Sequence, residues 1–305
     1  MLTAGGALAC IATLAALGGR FHWLLDLCSH FPVQCAAFLF LAGVVLGFRR
    51  QRTACAIFLV FALWNAAKLL PQVLPANGPG NSQAVQVKTL LVNVQTDNKK
   101  FAKVTELVRV KNPDLVVFEE VNDEWMSQLE PLRAEFPHVV AEPREDNFGI
   151  ALFSRFSLRD PKVTYFGDAG VPSIVARVVT SAGEVVVLAT HPLPPVGAEH
   201  FNLRNDQLQR IAEYIRTVSG PAILLGDLNT SPWSFHFKRF VQASALVDTS
   251  RGHGWQPTWP SMMPPLFVPI DHALCSKDIA VLSRETGAGI GSDHYPLIVT
   301  FGIGR

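Results

Sequence analysis

Ala222-Ile223-Leu224-Leu225-Gly226-Asp227-Leu228-Asn229 is the stretch that leaves this chain the fewest options. Four apolar residues between Gly220-Pro221 and Gly226 read as a short strand inside a sheet covered on both faces. The strand stops on Asp227, with Asn229 two positions later and Ser231-Pro232 turning the chain away. A carboxylate and a carboxamide at the end of an apolar strand are costly to bury without partners. An Asx-turn accounts for one such pair. It does not account for the same pattern recurring at strand after strand.

That recurrence is what the rest of the chain shows. Residues 85–94 alternate, then turn fully apolar and end near Asn93. Asp97 can cap a helix that carries Phe101, Val104, Leu107 and Val108 at helical spacing and ends at Asn112-Pro113. A second apolar strand runs from Asp114 to Glu119-Glu120, and a helix through Trp125, Leu129 and Leu132 follows. Strands are expected near 138–141, 147–154, 162–166, 173–180 and 184–190, the last two joined as a hairpin at Ser181-Ala182-Gly183. The last of these ends on His191, and a helix over 200–218 leads back to 222. Beyond 245 the chain is loop-rich, then gives Asp271 at the start of a strand and Ser292-Asp293-His294 before a final strand over 295–301. Asn93, Glu120, His191, Asp227, Asn229, Asp271, Asp293 and His294 thus adjoin apolar strands, and sheet ends are where ligand sites form in α/β proteins.

The N-terminal third is different. Residues 1–84 carry only Arg20, Asp26, Arg49, Arg50, Arg52 and Lys68 as charged side chains. Apolar blocks at 1–19, 32–48 and 53–70 are each close to the ~20 residues that cross ~30 Å of hydrocarbon, so a three-span transmembrane anchor over 1–73 is expected. A cleaved signal peptide competes for the first block, but it lacks a basic leader. Arg49-Arg50-Gln51-Arg52 is the basic cluster, and the positive-inside rule puts it in the cytoplasm. The loop at 20–31 and everything after the third block then lie outside, with Lys68 snorkelling. The expected location is the cell membrane, multi-pass, with residues 74–84 as a Pro/Gly/Asn linker and 85–305 as an extracytoplasmic catalytic domain. The five cysteines form no Cys-x-x-Cys pair, which argues against thiolate zinc. Residues 85–305 hold 21 basic and 24 acidic side chains, a poor match for non-specific nucleic-acid binding.

The motif set is recognisable. Asn93, Pro113-Asp114 with Glu120-Val121, Gly149 to Arg155, Thr190-His191, Arg204 with Gln207, Gly226-Asp227-Leu228-Asn229, Ile270-Asp271-His272 and Gly291-Ser292-Asp293-His294 together resemble the endonuclease/exonuclease/phosphatase (DNase I-like) superfamily. The resemblance spans 85–305 in motif order; with the apolar anchor it is similar to the membrane-bound bacterial branch that includes teicoplanin-resistance-type proteins. It implies an α/β fold, a four-layer α/β sandwich, and metal-dependent phosphoester hydrolysis. By the same resemblance Glu120 and Asp293 hold Mg²⁺, with Mn²⁺ as the alternative, because such ions take oxygen ligands and few protein carboxylates. Asp227 orients or deprotonates the attacking water. His294, fixed by Asp271, contacts the phosphate or moves a proton, His191 assists, and Asn93 and Asn229 surround the phosphate. One departure is Phe118-Glu119-Glu120, where Leu-Gln-Glu is usual; Glu119 is expected to add charge beside the metal.

The family acts on nucleic acids, inositol phosphates and phospholipid head groups. Net acidity and the tether lean towards a membrane-proximal or lipid-linked phosphoester. The apolar loop 254–267, with Trp255, Trp259 and Phe267, is expected to border the site and face lipid. The alternatives are an extracytoplasmic nuclease, which needs Lys and Arg around its cleft, and a non-catalytic membrane-anchored binding module, disfavoured because every expected acid and imidazole is present.

Overall fold

Alternating and fully apolar segments pair into two mixed sheets whose inner faces meet. The computed structural model describes residues 1–74 and 84–304; the linker expected over 74–84 falls almost wholly outside them. Its elements are α1 (Leu2–Ala15), α2 (Trp23–Leu27), α3 (Pro32–Phe48), α4 (Arg52–Ala67), α5 (Leu70–Val73), β1 (Val85–Asn93), α6 (Phe101–Lys111), β2 (Leu115–Glu119), α7 (Asp123–Leu129), β3 (His138–Glu142) and β4 (Ile150–Ser154). There follow β5 (Leu158–Tyr165), β6 (Pro172–Thr180), β7 (Gly183–Thr190), α8 (Gly197–Thr217), β8 (Ala222–Asp227), α9 (Phe235–Ser244), β9 (Val247–Asp248), β10 (Asp271–Cys275), β11 (Ala280–Thr286) and β12 (Leu297–Ile303). One sheet runs β11-β12-β1-β2-β4-β3 and the other β5-β6-β7-β8-β10-β9.

Strand alternation divides the apolar residues between layers. Leu91, Val117, Val187, Leu225 and Val299 fill the space between the sheets. Their neighbours Leu90, Val116 and Phe118 face outward under α6 and α7, while Leu188 and Leu224 pack beneath α8 and α9. Helix, sheet, sheet, helix is the expected four-layer α/β sandwich. Gly226 makes one close approach possible: a Cβ there would stand 1.9 Å from the Thr190 carbonyl oxygen on β7.

The N-terminal helices correct the three-span expectation. No single helix among the described residues is long and apolar enough to cross a membrane. With 17 and 16 residues, α3 and α4 rise about 24–26 Å, short of the ~30 Å of hydrocarbon. Trp23–His30 and Pro32–Phe48 qualify only as a pair, and that pair is bent by 65°. The loop expected over 20–31 is not a free connection; it folds as α2 and a following 3₁₀ turn. α1, α3 and α4 pack on one another through Cys10, Leu39, Leu46 and Phe58.

Candidate active site

The inner columns of both sheets end in polar residues at the same end of the sandwich. Asn93 follows Val87 and Leu91 on β1, Glu119 follows Leu115 and Val117 on β2, and Asp227 follows Ile223 and Leu225 on β8. His191 continues the Val187-Ala189 column just past β7. β10 runs antiparallel to β8 with Asp271 opposite Asp227, so it delivers its carboxylate at its beginning rather than its end. Asp293 and His294 arrive on the turn before β12, whose Leu297 pairs with Leu91 near the end of β1. Glu120 lies in the left-handed region at φ 61°, and Asn229 at φ 50°. Such values are costly for these residues and concentrate at functional sites. At Glu120 the turn lets two successive carboxylates reach one site: Glu119 points between the sheets, and Glu120 swings towards β1.

Glu120, His191, Asp227, Asn229, Asp293 and His294 line one cavity of about 610 Å³. Asn93 and Asp271 stand directly behind. Asn93 Nδ2 donates to Glu120 Oε1 at 2.8 Å, and Asp271 Oδ2 is bonded to His294 Nδ1 at 2.9 Å. Thr96 N donates to Glu120 Oε2 at 3.3 Å. His191 Nε2 and His294 Nε2 approach the same Asp227 oxygen, Oδ2, at 3.6 and 3.7 Å. The other Asp227 oxygen accepts from Asn229 N at 2.8 Å, and Asn229 Nδ2 donates to the Pro192 carbonyl. Trp259 Nε1 donates to Asp293 Oδ2 at 3.0 Å, so the loop 254–267 does border the site.

Burial and crowding set the charges. Burial opposes the charged form of His294, but Asp271, Asp227 and Asp293 overcome it and lift its pKa to about 10. Burial, with His294 beside it, drops His191 to about 3, so that ring is neutral; its Nδ1 is buried without a partner among the described residues. Burial and the neighbouring carboxylate of Asp271 push Asp227 well above the ordinary range. Burial also raises Glu120, against the hydrogen bond from Asn93. The expectation that Glu119 adds charge is corrected. Glu119 is fully buried, accepts from Asp227 N at 3.0 and 3.2 Å, and is driven well above the carboxylate range by burial and by Asp227 and Asp271. Burial favours its protonated form, and with its carboxyl bonded to Asp227 N it is a close stand-in for the usual Gln.

Ligating atoms of Asp227, Asp271 and His294 lie within 4.8 Å of one another. The Asp271–His294 hydrogen bond already engages that imidazole, which leaves the Glu120 and Asp293 carboxylates on the cavity wall as oxygen donors for a hard cation. Carboxylates crowded around one imidazolium are the kind of charge excess a divalent ion relieves, and the donor set fits one.

Sequence reasoning missed one wall of this site. Trp23, Leu27, His30 and Phe31, from the N-terminal segment, line the same cavity. Asp26 is fully buried beneath them: its Oδ2 accepts from Arg204 Nη2 at 2.9 Å and its Oδ1 from Ser234 Oγ at 2.7 Å. The available signal was that Asp26 is the sole carboxylate in residues 1–84, and a buried carboxylate in apolar surroundings needs a partner.

Comparison with known proteins agrees with this geometry. No curated protein matches the sequence. Among solved structures, an endonuclease/exonuclease/phosphatase from Beutenbergia cavernae is similar at 20% identity and TM-score 0.58, covering 72% of each chain. A Bacteroides thetaiotaomicron endonuclease/exonuclease/phosphatase family protein aligns at 17% identity and TM-score 0.61, over 73% of this chain and 100% of that one. The human Nocturnin catalytic domain aligns at 20% identity and TM-score 0.58, over 71% of this chain and 94% of that one. These likenesses establish the fold. The Endonuclease/Exonuclease/phosphatase family matches residues 90–294, which takes in every polar strand end described above. The chain therefore belongs to the endonuclease/exonuclease/phosphatase family of metal-dependent phosphoric ester hydrolases.

Proposed function

We propose that this chain is a Mg²⁺-dependent phosphoesterase working on a membrane-proximal or lipid-linked phosphoester at the outer face of the cell membrane. The observation that carries the catalytic reading is the single cavity shared by Glu120, Asp227 and His294, with Asp271 bonded behind His294. Glu120 and Asp293 hold the ion. When bound, Mg²⁺ neutralises phosphate charge and stabilises the leaving oxygen. Asp227 orients the attacking water and takes its proton. His294, held cationic by Asp271, donates to a phosphate oxygen, and the neutral ring of His191 stands beside the same Asp227 oxygen to share that phosphate. Asn229 reaches the phosphate from the cavity wall, while Asn93 acts through Glu120.

Two features support the membrane part. Leu8, Ile11, Leu17, Phe40, Leu41, Phe48, Val60 and Leu63 on the N-terminal helices are all more than half exposed, an apolar surface suited to lipid. The α3–α4 hairpin also has polarity along its length. At one end Gln34 donates to the Phe267 carbonyl, and the α5 carbonyls of Pro71 and Gln72 accept from Gly252 N and Gly254 N of the catalytic domain. At the other end is the exposed Arg49-Arg50-Gln51-Arg52 turn, a basic cluster suited to anionic lipid head groups. The exposed Met262, Met263 and Leu266 of the 254–267 loop extend the lipid-facing surface.

The cavity also weighs against the nuclease alternative: among the described residues that line it there is no Lys or Arg, and Asp146 adds an acid. The test is the full chain in detergent with Mg²⁺, offered plasmid DNA, a bis-ester chromogen and a phosphoester bearing an alkyl chain. Hydrolysis of the alkyl-bearing ester without nicking of DNA is expected; efficient nicking would transfer the site to the nuclease reading. Protease added outside intact cells should cut within 85–305.

A further inference from the structure

We propose that residues 22–31 are a fixed apolar wall of the active site that selects phosphoesters carrying an alkyl chain beside the scissile phosphate. This rests on the phosphoesterase reading of the site. The family match covers residues 90–294, so this wall comes from outside the matched residues.

The cavity lining is of two kinds. Beside the acids and imidazoles described above it carries apolar side chains, Trp23, Leu27 and Phe31 from the N-terminal segment and Phe148, Pro194 and Val196 from the catalytic domain. The cavity's volume of about 610 Å³ is within the range of small-molecule sites. The hydroxyls of a sugar placed against these side chains would lose their water without hydrogen bonds in return, whereas an alkyl chain loses nothing.

The wall is built in rather than draped over. Asp26 and Arg204 are both 0% exposed, and their ion pair has Ser234 as its third member. Arg204 Nη1 then donates to the Asn229 carbonyl at 2.7 Å, so the group that holds the segment also holds the loop carrying Asn229. Four residues on from Asp26, His30 Nδ1 accepts from Ser231 Oγ at 2.8 Å and from Ser231 N at 3.3 Å. Lifting the segment would leave a buried guanidinium without its anion. The segment therefore keeps its place with or without substrate, and its shape is a standing filter.

Full-length protein in detergent should be assayed with p-nitrophenyl methyl phosphate and p-nitrophenyl hexyl phosphate, which share one leaving group and differ in the chain left on phosphorus. The wild type is expected to prefer the hexyl ester by about a hundredfold in kcat/KM, from burial of the added methylenes. Trp23→Ala, Leu27→Ala and Phe31→Ala should each lower the hexyl-to-methyl ratio by about tenfold, whatever happens to either rate alone. Three variants are used so that one which fails to fold leaves the others to decide, with thermal melting as the check on folding. A ratio within twofold of wild type in the folded variants, or equal use of both esters by the wild type, would overturn the wall while leaving the phosphoesterase intact. Hydrolysis of neither ester by the wild type would instead refute the phosphoesterase reading itself.

Discussion

Glu119→Gln should stabilise the metal-free protein increasingly as pH rises. Glu119 is fully buried against Asp227 N and its carboxyl is held well above the ordinary carboxylate range by burial and by Asp227 and Asp271. Between its ordinary and its folded pKa, the folded chain keeps a proton that the unfolded chain releases. More protons bound in the native state means that stability falls as pH rises, by about 1.4 kcal/mol per pH unit across that window. Below the ordinary value both states hold the proton and the slope vanishes. Glutamine keeps the shape, offers its carbonyl to Asp227 N and cannot ionise, so the variant loses this slope. The assay is unfolding of both proteins in detergent with a chelator at steps from pH 4.5 to 8. The curves should meet at the acid end and separate as pH rises above the ordinary carboxylate range, by at most about 1.4 kcal/mol per unit. Parallel curves, or a variant less stable throughout, would refute a neutral Glu119.

Further outcomes follow from the same geometry. Asp26→Asn leaves Arg204 buried without its anion and should cost about 3–5 kcal/mol in unfolding, with Asp26→Asn/Arg204→Met regaining most of it. An unchanged melting temperature in the single variant would mean that the pair does not hold the N-terminal segment. Mg²⁺ affinity should rise with pH, because burial raises Glu120 and its proton must leave before a cation binds. Calorimetry in buffers of different ionisation heat should register proton release, and its absence would place the ion elsewhere. Trp259→Phe removes the hydrogen bond to Asp293 and should weaken Mg²⁺ binding by about 10-fold or more, read by titration of activity with the metal.

Much of the fold was legible because buried strands are written as apolar runs. β1, β2, β7 and β8 were located by such runs, and the polar residues that end them were already the candidate site. Edge strands were less legible: β3 was expected, β5 only from 162 onward, and β9 and β11 escaped. The first half of β5 is largely exposed and carries Arg159, Asp160 and Lys162 around a bulge, so it shows neither alternation nor an apolar run. β11, at the edge of the other sheet, is bulged between Val281 and Ser283. α9 did have a signal, Ser234 as cap and Phe237 and Phe240 three apart, but it stands close behind the Ser231-Pro232 turn and was not separated from it.

The site was less legible than the fold for two reasons. Composition alone made residues 1–73 an anchor separate from the enzyme, and only tertiary contact shows Asp26 reaching Arg204. Glu119 and Glu120 are adjacent, and sequence cannot say that one turns left-handed while the other stays in the strand and favours its protonated form. Local pattern locates strand ends; which side chains share a proton or a buried charge is decided by packing between sheets.

The most direct test of the central claim is the Mg²⁺ dependence of bis(p-nitrophenyl) phosphate hydrolysis by the full chain, compared across wild type, Glu120→Gln, Asp227→Asn and His294→Ala. The account predicts turnover by wild type that a chelator abolishes and Mg²⁺ restores, and loss of at least about 100-fold in each folded variant. Chelator-resistant turnover, or near-wild-type rates in Asp227→Asn or His294→Ala, would contradict it.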